Sequence, residues 1–437
     1  MPRHVERTEE HRRNPRSARP EIPSLAPRRD FPALGAPSKG SLAYLDSACL
    51  SLVPEVVLEA QREYYRDFPG CAGRSVHRWS EELSRRYERA RETFARFLDA
   101  SPDAALVNVR NTTEALNGVA TGIDLPRGSS VLLTDREHNS NLLPWQREAE
   151  RRGWRLRFLP LPDDRTFDEE AYLSELEKGI ALVAFFHASN LDGRVLPARA
   201  IVEAAHDHGA QVLLDGSQAA PHEPVSLRRL GVDYYALSFH KMLGPTGTGL
   251  LALSPERAGT LPPWFVGGET VSTSSYEGHD LLPPPQRFEA GLQNYAGVLG
   301  AEAGVRYLER LGMVGSAAHL ARLQERLASS LAGVDGLRVL GPREPRERGA
   351  IFAFDLEGVD PADVALFLDE GYGVLVRSGM NCVHSWYRAR GLTGNVRASF
   401  HVYTDSSDLE RLVAGLVELR ARVPRAGAAT PPGREPG

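Results

Sequence analysis

From residue 129 to residue 253 the chain alternates β-rich and helix-patterned segments, and this alternation narrows the possible folds more than any other feature. "SSVLLT" (129–134) is β-rich, "NLLPWQREAERRG" (141–153) has apolar residues at helical spacing, and "WRLRFLPL" (154–161) is β-rich again. "IALVAFFHAS" (180–189), the helical "PARAIVEAAHDHG" (197–209) and "AQVLLDG" (210–216) repeat the βαβ unit. "DYYALS" (233–238) and "GTGLLAL" (247–253) add two strands. Such alternation predicts an α/β fold with a mainly parallel sheet and helices on both faces.

The texture changes near Leu311. "AAHLARLQERLASSLAG" and "PADVALFLDEGYG" have helical spacing around the strands "RGAIFAFDLE" and "NVRASFHVYT", which predicts a smaller α+β domain. The expected division is a large domain over 41–310 and a small C-terminal one over 311–423. Residues 1–40 are rich in Arg, Pro and Ser, and the tail "PRAGAATPPGREPG" (424–437) in Pro, Gly and Ala. Neither has the apolar periodicity needed to offset chain ordering, so both are expected to be disordered.

Composition excludes some partners. A net charge of -5 over 437 residues creates no field of one sign, so neither nucleic acid nor a membrane surface is an expected partner. The longest apolar run, "ALVAFF", is too short to cross a bilayer, and the N-terminus has no apolar signal segment, so a cytoplasmic enzyme is expected. Three widely spaced cysteines, Cys49, Cys71 and Cys382, form no CxxC pair and argue against a disulfide framework or a structural zinc.

In an open α/β sheet, ligands sit beyond the carboxyl ends of the strands. His138 follows "VLLTDRE", Asn190 follows "LVAFFHAS", Asp215 ends "QVLLD" and Lys241 follows "YYALSFH". These four polar residues at four strand ends point to one site. Desolvation of a lysine in a Gly-flanked turn disfavours its ammonium form and leaves an amine able to form a Schiff base, as pyridoxal phosphate chemistry requires. That chemistry also needs a carboxylate on the ring nitrogen, for which Asp215 is placed, and phosphate donors, which Ser238, His240 and Thr113 could supply. Singly, each residue has a plainer reading: a solvated loop lysine, a turn aspartate, a core histidine. Their joint order is the stronger signal.

"LLDGSQAAPHEPVSLRRLGVDYYALSFHKMLGPTGTGLLAL" resembles the cofactor segment of class V aminotransferases, fold-type I pyridoxal phosphate enzymes, and above all the SUF-type cysteine desulfurases and selenocysteine lyases. "GRSVHRWS", "RNTTEALNGVA", "REHNSNLLPWQ", "RFEAGLQNYAGVLG" and "VRSGMNC" extend the likeness over most of the chain. The resemblance implies a seven-stranded, mainly parallel sheet in the large domain and pyridoxal 5'-phosphate bound through Lys241. It further implies that Asp215 pairs with the ring nitrogen, Gln218 with the ring hydroxyl, and that His138 stacks on the ring. Asn190 would lie near substrate and cofactor, with Thr112, Thr113, Ser238 and His240 on the phosphate. Arg397 would grip a substrate carboxylate, with Arg377 nearby and Arg74 and His77 at the dimer-proximal edge. The implied assembly is a homodimer.

Cys382 matches the desulfurase cysteine that attacks the sulfur of a bound cysteine, carries it as a persulfide and leaves alanine, for delivery to a sulfur-acceptor protein. The alternative is a C–S β-lyase acting on a cysteine conjugate and giving thiol, pyruvate and ammonia. An aminotransferase or a non-catalytic cofactor-binding scaffold ranks lower. Cys49 and Cys71 read as small buried hydrophobes. The chain departs from the family pattern at Met380 and Asn381, where two histidines are usual, and at Leu292, where a threonine is. His384, Trp386 and Tyr387 after the cysteine suggest a substrate larger than free cysteine.

Overall fold

The computed structural model describes residues 20–35 and 42–423. Its largest sheet contains β1 (Ala105–Val109), β2 (Ser130–Thr134), β3 (Arg155–Leu159), β4 (Ile180–Phe186), β5 (Gln211–Asp215), β6 (Tyr234–Ser238) and β7 (Gly249–Leu253). The order is β1-β7-β6-β5-β4-β2-β3, with β7 antiparallel to both neighbours and every other pair parallel. The mainly parallel seven-stranded sheet is as expected.

Strand periodicity explains why this sheet is buried on both faces. Val131, Leu133, Leu182, Ala184 and Leu213 point to one side, where they meet the helices Thr112–Gly122 and Leu143–Arg152 through Leu116, Val119 and Trp145. Leu132, Val183, Phe185, Val212 and Leu214 point to the other, against Phe94 of helix Arg78–Phe97 and Val298 of helix Tyr295–Leu311. β1 escapes the periodic reading because Asn108 interrupts "ALVNV"; the side chain is buried and its Nδ2 donates to Tyr87 Oη at 2.9 Å.

A second sheet has four antiparallel strands, β8 (Leu337–Val339), β9 (Ile351–Leu356), β10 (Arg377–Gly379) and β11 (Asn395–Ser399), in the order β8-β9-β11-β10. Helices Met313–Leu331, Pro361–Tyr372 and Ser406–Arg422 cover it, burying Leu323, Leu327, Leu368 and Leu412 against Phe352, Phe354 and Val396. Its register sets Arg377 directly opposite Arg397.

The expectation of an unpacked extension over residues 1–40 fails at 20–35. Ala26 and Phe31 are fully buried, and Arg28 pairs with the buried Asp408 at 2.7 Å. Phe31 stacks edge-on against Tyr403, with ring centroids 4.8 Å apart. These anchors are single residues in a proline-containing stretch, so they leave no periodic trace. Ala43 and Leu45 join the core of the second sheet, and Ala43–Tyr44 pairs in parallel with Val374–Leu375, while Ala26, Phe31 and Tyr44 pack against the core of the large sheet. Residues 1–19, 36–41 and the tail 424–437, where disorder is also expected, lie outside the described residues.

Candidate active site

One cavity of about 210 Å³ opens where the carboxyl ends of the large sheet meet β10 and β11. His138, Asn190, Asp215 and Lys241, the four strand-end residues, all line it. So do Thr112, Thr113, Gln218, Ser238 and His240, and from the second sheet Arg377, Cys382 and Arg397. Arg74 and His77 do not. Arg74 is ion-paired with Glu269, and His77 caps helix Arg78–Phe97, its Nδ1 accepting from Ser80 N at 3.4 Å.

Lys241 ends a single helical turn, Phe239–Lys241, immediately after β6. Burial is the main force pushing its amine toward the neutral form, with the charge of Arg397 acting the same way and Asp215 opposing. Asp215 is buried, and its Oδ1 accepts from Ser217 N at 2.9 Å. His138 and His240 are each pushed down to about 4, first by burial and then by the charge of Lys241, so both imidazoles are neutral near pH 7. His138 Nδ1 accepts from Ser140 N at 3.0 Å, which leaves Nε2 to carry the proton.

At one end, the N-terminus of helix Thr112–Gly122 borders the cavity, with Thr112 N donating to Ser238 Oγ at 2.8 Å and Glu114 N to the capping Asn111 Oδ1 at 3.0 Å. Thr112 Oγ1 lies 2.7 Å from Ser217 Oγ and 2.8 Å from Ser238 Oγ, and Thr113 Oγ1 lies 2.8 Å from Ser140 Oγ. A helix N-terminus surrounded by hydroxyls is a phosphate cradle. Gln218 Nε2 donates to Ala48 O at 2.8 Å, while its Oε1 is buried without a partner. Such an orphan acceptor costs about 1–3 kcal/mol unless a ligand hydroxyl meets it. An anion cradle, a buried carboxylate, an amine driven neutral and an unmet acceptor in one cavity fit pyridoxal phosphate.

The rim is built differently. Asn381 and Cys382 both have left-handed backbones, with φ of +46° and +60°, a conformation that costs a cysteine about 1 kcal/mol or more. Loops of the large sheet hold it: Asn190 Nδ2 donates to Asn381 O at 2.6 Å, and Asn139 N to Cys382 O at 2.8 Å. From below, Asn395 Oδ1 accepts from Asn381 Nδ2 at 2.6 Å and Tyr387 Oη at 2.7 Å. Arg397 is buried, donating to Asn190 O at 2.8 Å and facing Asp46 at 3.4 Å.

Two readings of the sequence need correction. Trp386 and Tyr387 are buried with Val383 and Leu191, and His384 Nδ1 is 2.8 Å from Asn139 Nδ2; none of the three lines the cavity, so they anchor the cysteine loop rather than enlarge the substrate space. Cys49 is exposed and lines the cavity instead of filling a core. Its position four residues beyond the short strand Ala43–Tyr44 and Leu45 was the available signal. Asn111, Ser140 and Ser217 also face the cavity and were missed, Asn111 and Ser217 each adjoining a residue that was not and Ser140 lying two residues after His138.

The model for the aminotransferase class-V family matches residues 43–412, and the chain belongs to that family of fold-type I, pyridoxal phosphate-dependent enzymes. A probable cysteine desulfurase of Mycobacterium leprae is 39% identical over 400 residues, covering 89% of this chain and 95% of that protein. The apo structure of a cysteine desulfurase from Thermococcus onnurineus superposes with a TM-score of 0.86 at 35% identity, covering 91% of this chain and 98% of that one. A cysteine desulfurase from Escherichia coli, crystallised with an S-sulfonic acid, gives a TM-score of 0.81 at 33% identity, covering 90% and 98%.

Proposed function

We propose that the protein is a cysteine desulfurase: it binds L-cysteine at the Lys241 cavity, moves the substrate sulfur to Cys382 and releases alanine. One observation carries the reading. The only cysteine in the "RSGMNC" loop lines the same cavity as Lys241 and is held there by Asn139 and Asn190. A β-lyase needs no protein thiol beside its lysine and no reason to fix one in a left-handed backbone.

Pyridoxal phosphate, when bound, supplies an electron sink for charge developing at the substrate Cα. In the roles proposed, Thr112, Thr113, Ser238 and His240 hold its phosphate, Asp215 its ring nitrogen, Gln218 its hydroxyl, and His138 lies against its ring. Asn190, engaged with the Asn381 carbonyl, fixes the cysteine loop and borders the substrate. Arg397 binds the substrate carboxylate by a charge-assisted hydrogen bond, with Arg377 beside it. Lys241, driven neutral by burial, takes the Cα proton on its Nζ. Cys382 Sγ, as thiolate, attacks the substrate sulfur; the Cβ–S bond breaks with its electron pair going to carbon, Cβ takes up a proton, and Lys241 Nζ returns a proton to Cα as alanine forms.

The working unit proposed is a homodimer. Val76, Trp79, Phe265, Val266 and Leu292 are large exposed apolar residues, and Arg74 and His77 stand near the first two and outside this chain's own cavity. A thiol acceptor protein takes the sulfur onward. A cytoplasmic setting suits three free cysteines, two of them at the cavity. Supplying the purified protein with L-cysteine and a reductant and quantifying alanine, sulfide and pyruvate tests the reading: equal alanine and sulfide are expected, whereas pyruvate with little alanine would identify a lyase.

A further inference from the structure

The cavity contains a second thiol. Cys49 sits on a turn fastened to both sheets: its N donates to Asp46 O at 3.0 Å, Ala48 N donates to Ser399 Oγ at 2.9 Å, and Ala48 O accepts from Gln218 Nε2 at 2.8 Å. Of the two cavity cysteines it is the more accessible, exposed where Cys382 is half-buried.

The charges around it are unbalanced. Arg377 and Arg397 are cross-strand partners, an unfavourable pairing for like charges unless anions stand close. Asp46 faces Arg397, and Arg377 Nη1 donates to Cys49 Sγ at 3.0 Å. Arg397, only 3% exposed, keeps its Nε without a partner. The Cys49 sulfur accepts this guanidinium hydrogen bond where the cavity opens, which fixes its position beside the arginine pair.

Building on the desulfurase reading, we propose that Cys49 is a relay thiol that takes the sulfane sulfur from Cys382 and presents it at the mouth of the cavity. The Cys49 thiolate attacks the terminal sulfur of the Cys382 persulfide. A bond forms between Cys49 Sγ and that sulfur, the bond from the sulfur to Cys382 Sγ breaks, and the electron pair returns to Cys382 as thiolate. The proton stays on the transferred sulfur, so no outside oxidant or reductant enters. Cys382 is free for the next substrate while the exposed Cys49 persulfide awaits an acceptor thiol.

The test uses the holoenzyme with substoichiometric L-cysteine and no reductant, quenched at intervals with iodoacetamide and followed by peptide mass spectrometry. The extra sulfur should appear first on the Cys382 peptide and then on the Cys49 peptide. Under the same conditions Cys49→Ser should still form alanine and keep the sulfur on Cys382, and with excess L-cysteine and an acceptor thiol its steady-state turnover should fall several-fold. Phenylarsine oxide, which bridges neighbouring thiols, should bind the wild-type holoenzyme tightly and Cys49→Ser weakly; equal binding would remove the proximity on which the relay depends. Sulfur that loads Cys382 and never reaches Cys49 overturns the relay alone, as does sulfur that loads Cys49 in Cys382→Ala. Pyruvate with neither cysteine loaded overturns the desulfurase reading, and the relay with it.

Discussion

The floor of the cavity and its rim are built from different materials. Lys241, Asp215, His138 and Asn190 follow four strands of one buried sheet, whose spacing is set by backbone hydrogen bonds. Arg377 and Arg397 come from the second sheet and Cys382 from the loop after β10, and its two consecutive left-handed residues are held by the Asn190 side chain and the Asn139 backbone of the first. The floor can bind a cofactor without the rim. In the function proposed, the rim chooses the reaction, and it rests on a handful of amide hydrogen bonds.

Substitutions at floor and rim should therefore separate. Lys241→Ala should lower turnover by about 10²–10⁴-fold, since it removes the proton acceptor, while circular dichroism stays native. Retained turnover in that variant would break the assignment of the floor. Arg397→Ala should reduce kcat/KM by about 10–100-fold, the value of one charge-assisted hydrogen bond, with most of the loss in KM. A change in kcat alone would move Arg397 out of substrate binding. Tyr387→Phe removes only the hydroxyl that steadies Asn395 beneath Asn381. It should cost about 1 kcal/mol, slowing persulfide formation roughly five-fold while leaving the visible absorption of the bound cofactor unchanged. If both change together, floor and rim are not separate units.

Acid tests the scaffold beneath both. Burial pushes His138, His187, His240 and His401 each down to about 4. They stay neutral when folded, whereas in the unfolded chain imidazole takes up a proton near pH 6.5. Stability is then fully present above about pH 6.5 and falls as the pH drops toward 4, by up to about 1.4 kcal/mol per pH unit for each histidine. Urea unfolding between pH 7.5 and 5 should show that slope, and His187→Asn, outside the cavity, should lessen it. A flat profile would mean these histidines are not buried as described.

The floor was legible in the sequence because strand and helix periods locate strand ends, and strand ends locate ligands. β1 was not, since Asn108 breaks its apolar run for the sake of a buried hydrogen bond to Tyr87. At the rim, the resemblance identified Cys382, but no period encodes a left-handed backbone or the tertiary bonds that sustain it. The same gap hid Cys49, which only the meeting of two sheets brings to the cavity, and made Trp386 and Tyr387 look like site residues when they pack behind it. Residues 20–35 were missed for a related reason: isolated anchors such as Phe31 and Arg28 act through distant partners.

The central claim is that the floor activates L-cysteine and Cys382 determines what becomes of its sulfur. A single-turnover experiment with limiting L-cysteine and no reductant, comparing wild type with Cys382→Ala, measures this most directly. Wild type should yield one alanine for each sulfane sulfur recovered on protein thiols, and Cys382→Ala should perturb the cofactor absorption on adding L-cysteine yet form almost no alanine. Alanine produced at the wild-type rate by Cys382→Ala would contradict the account.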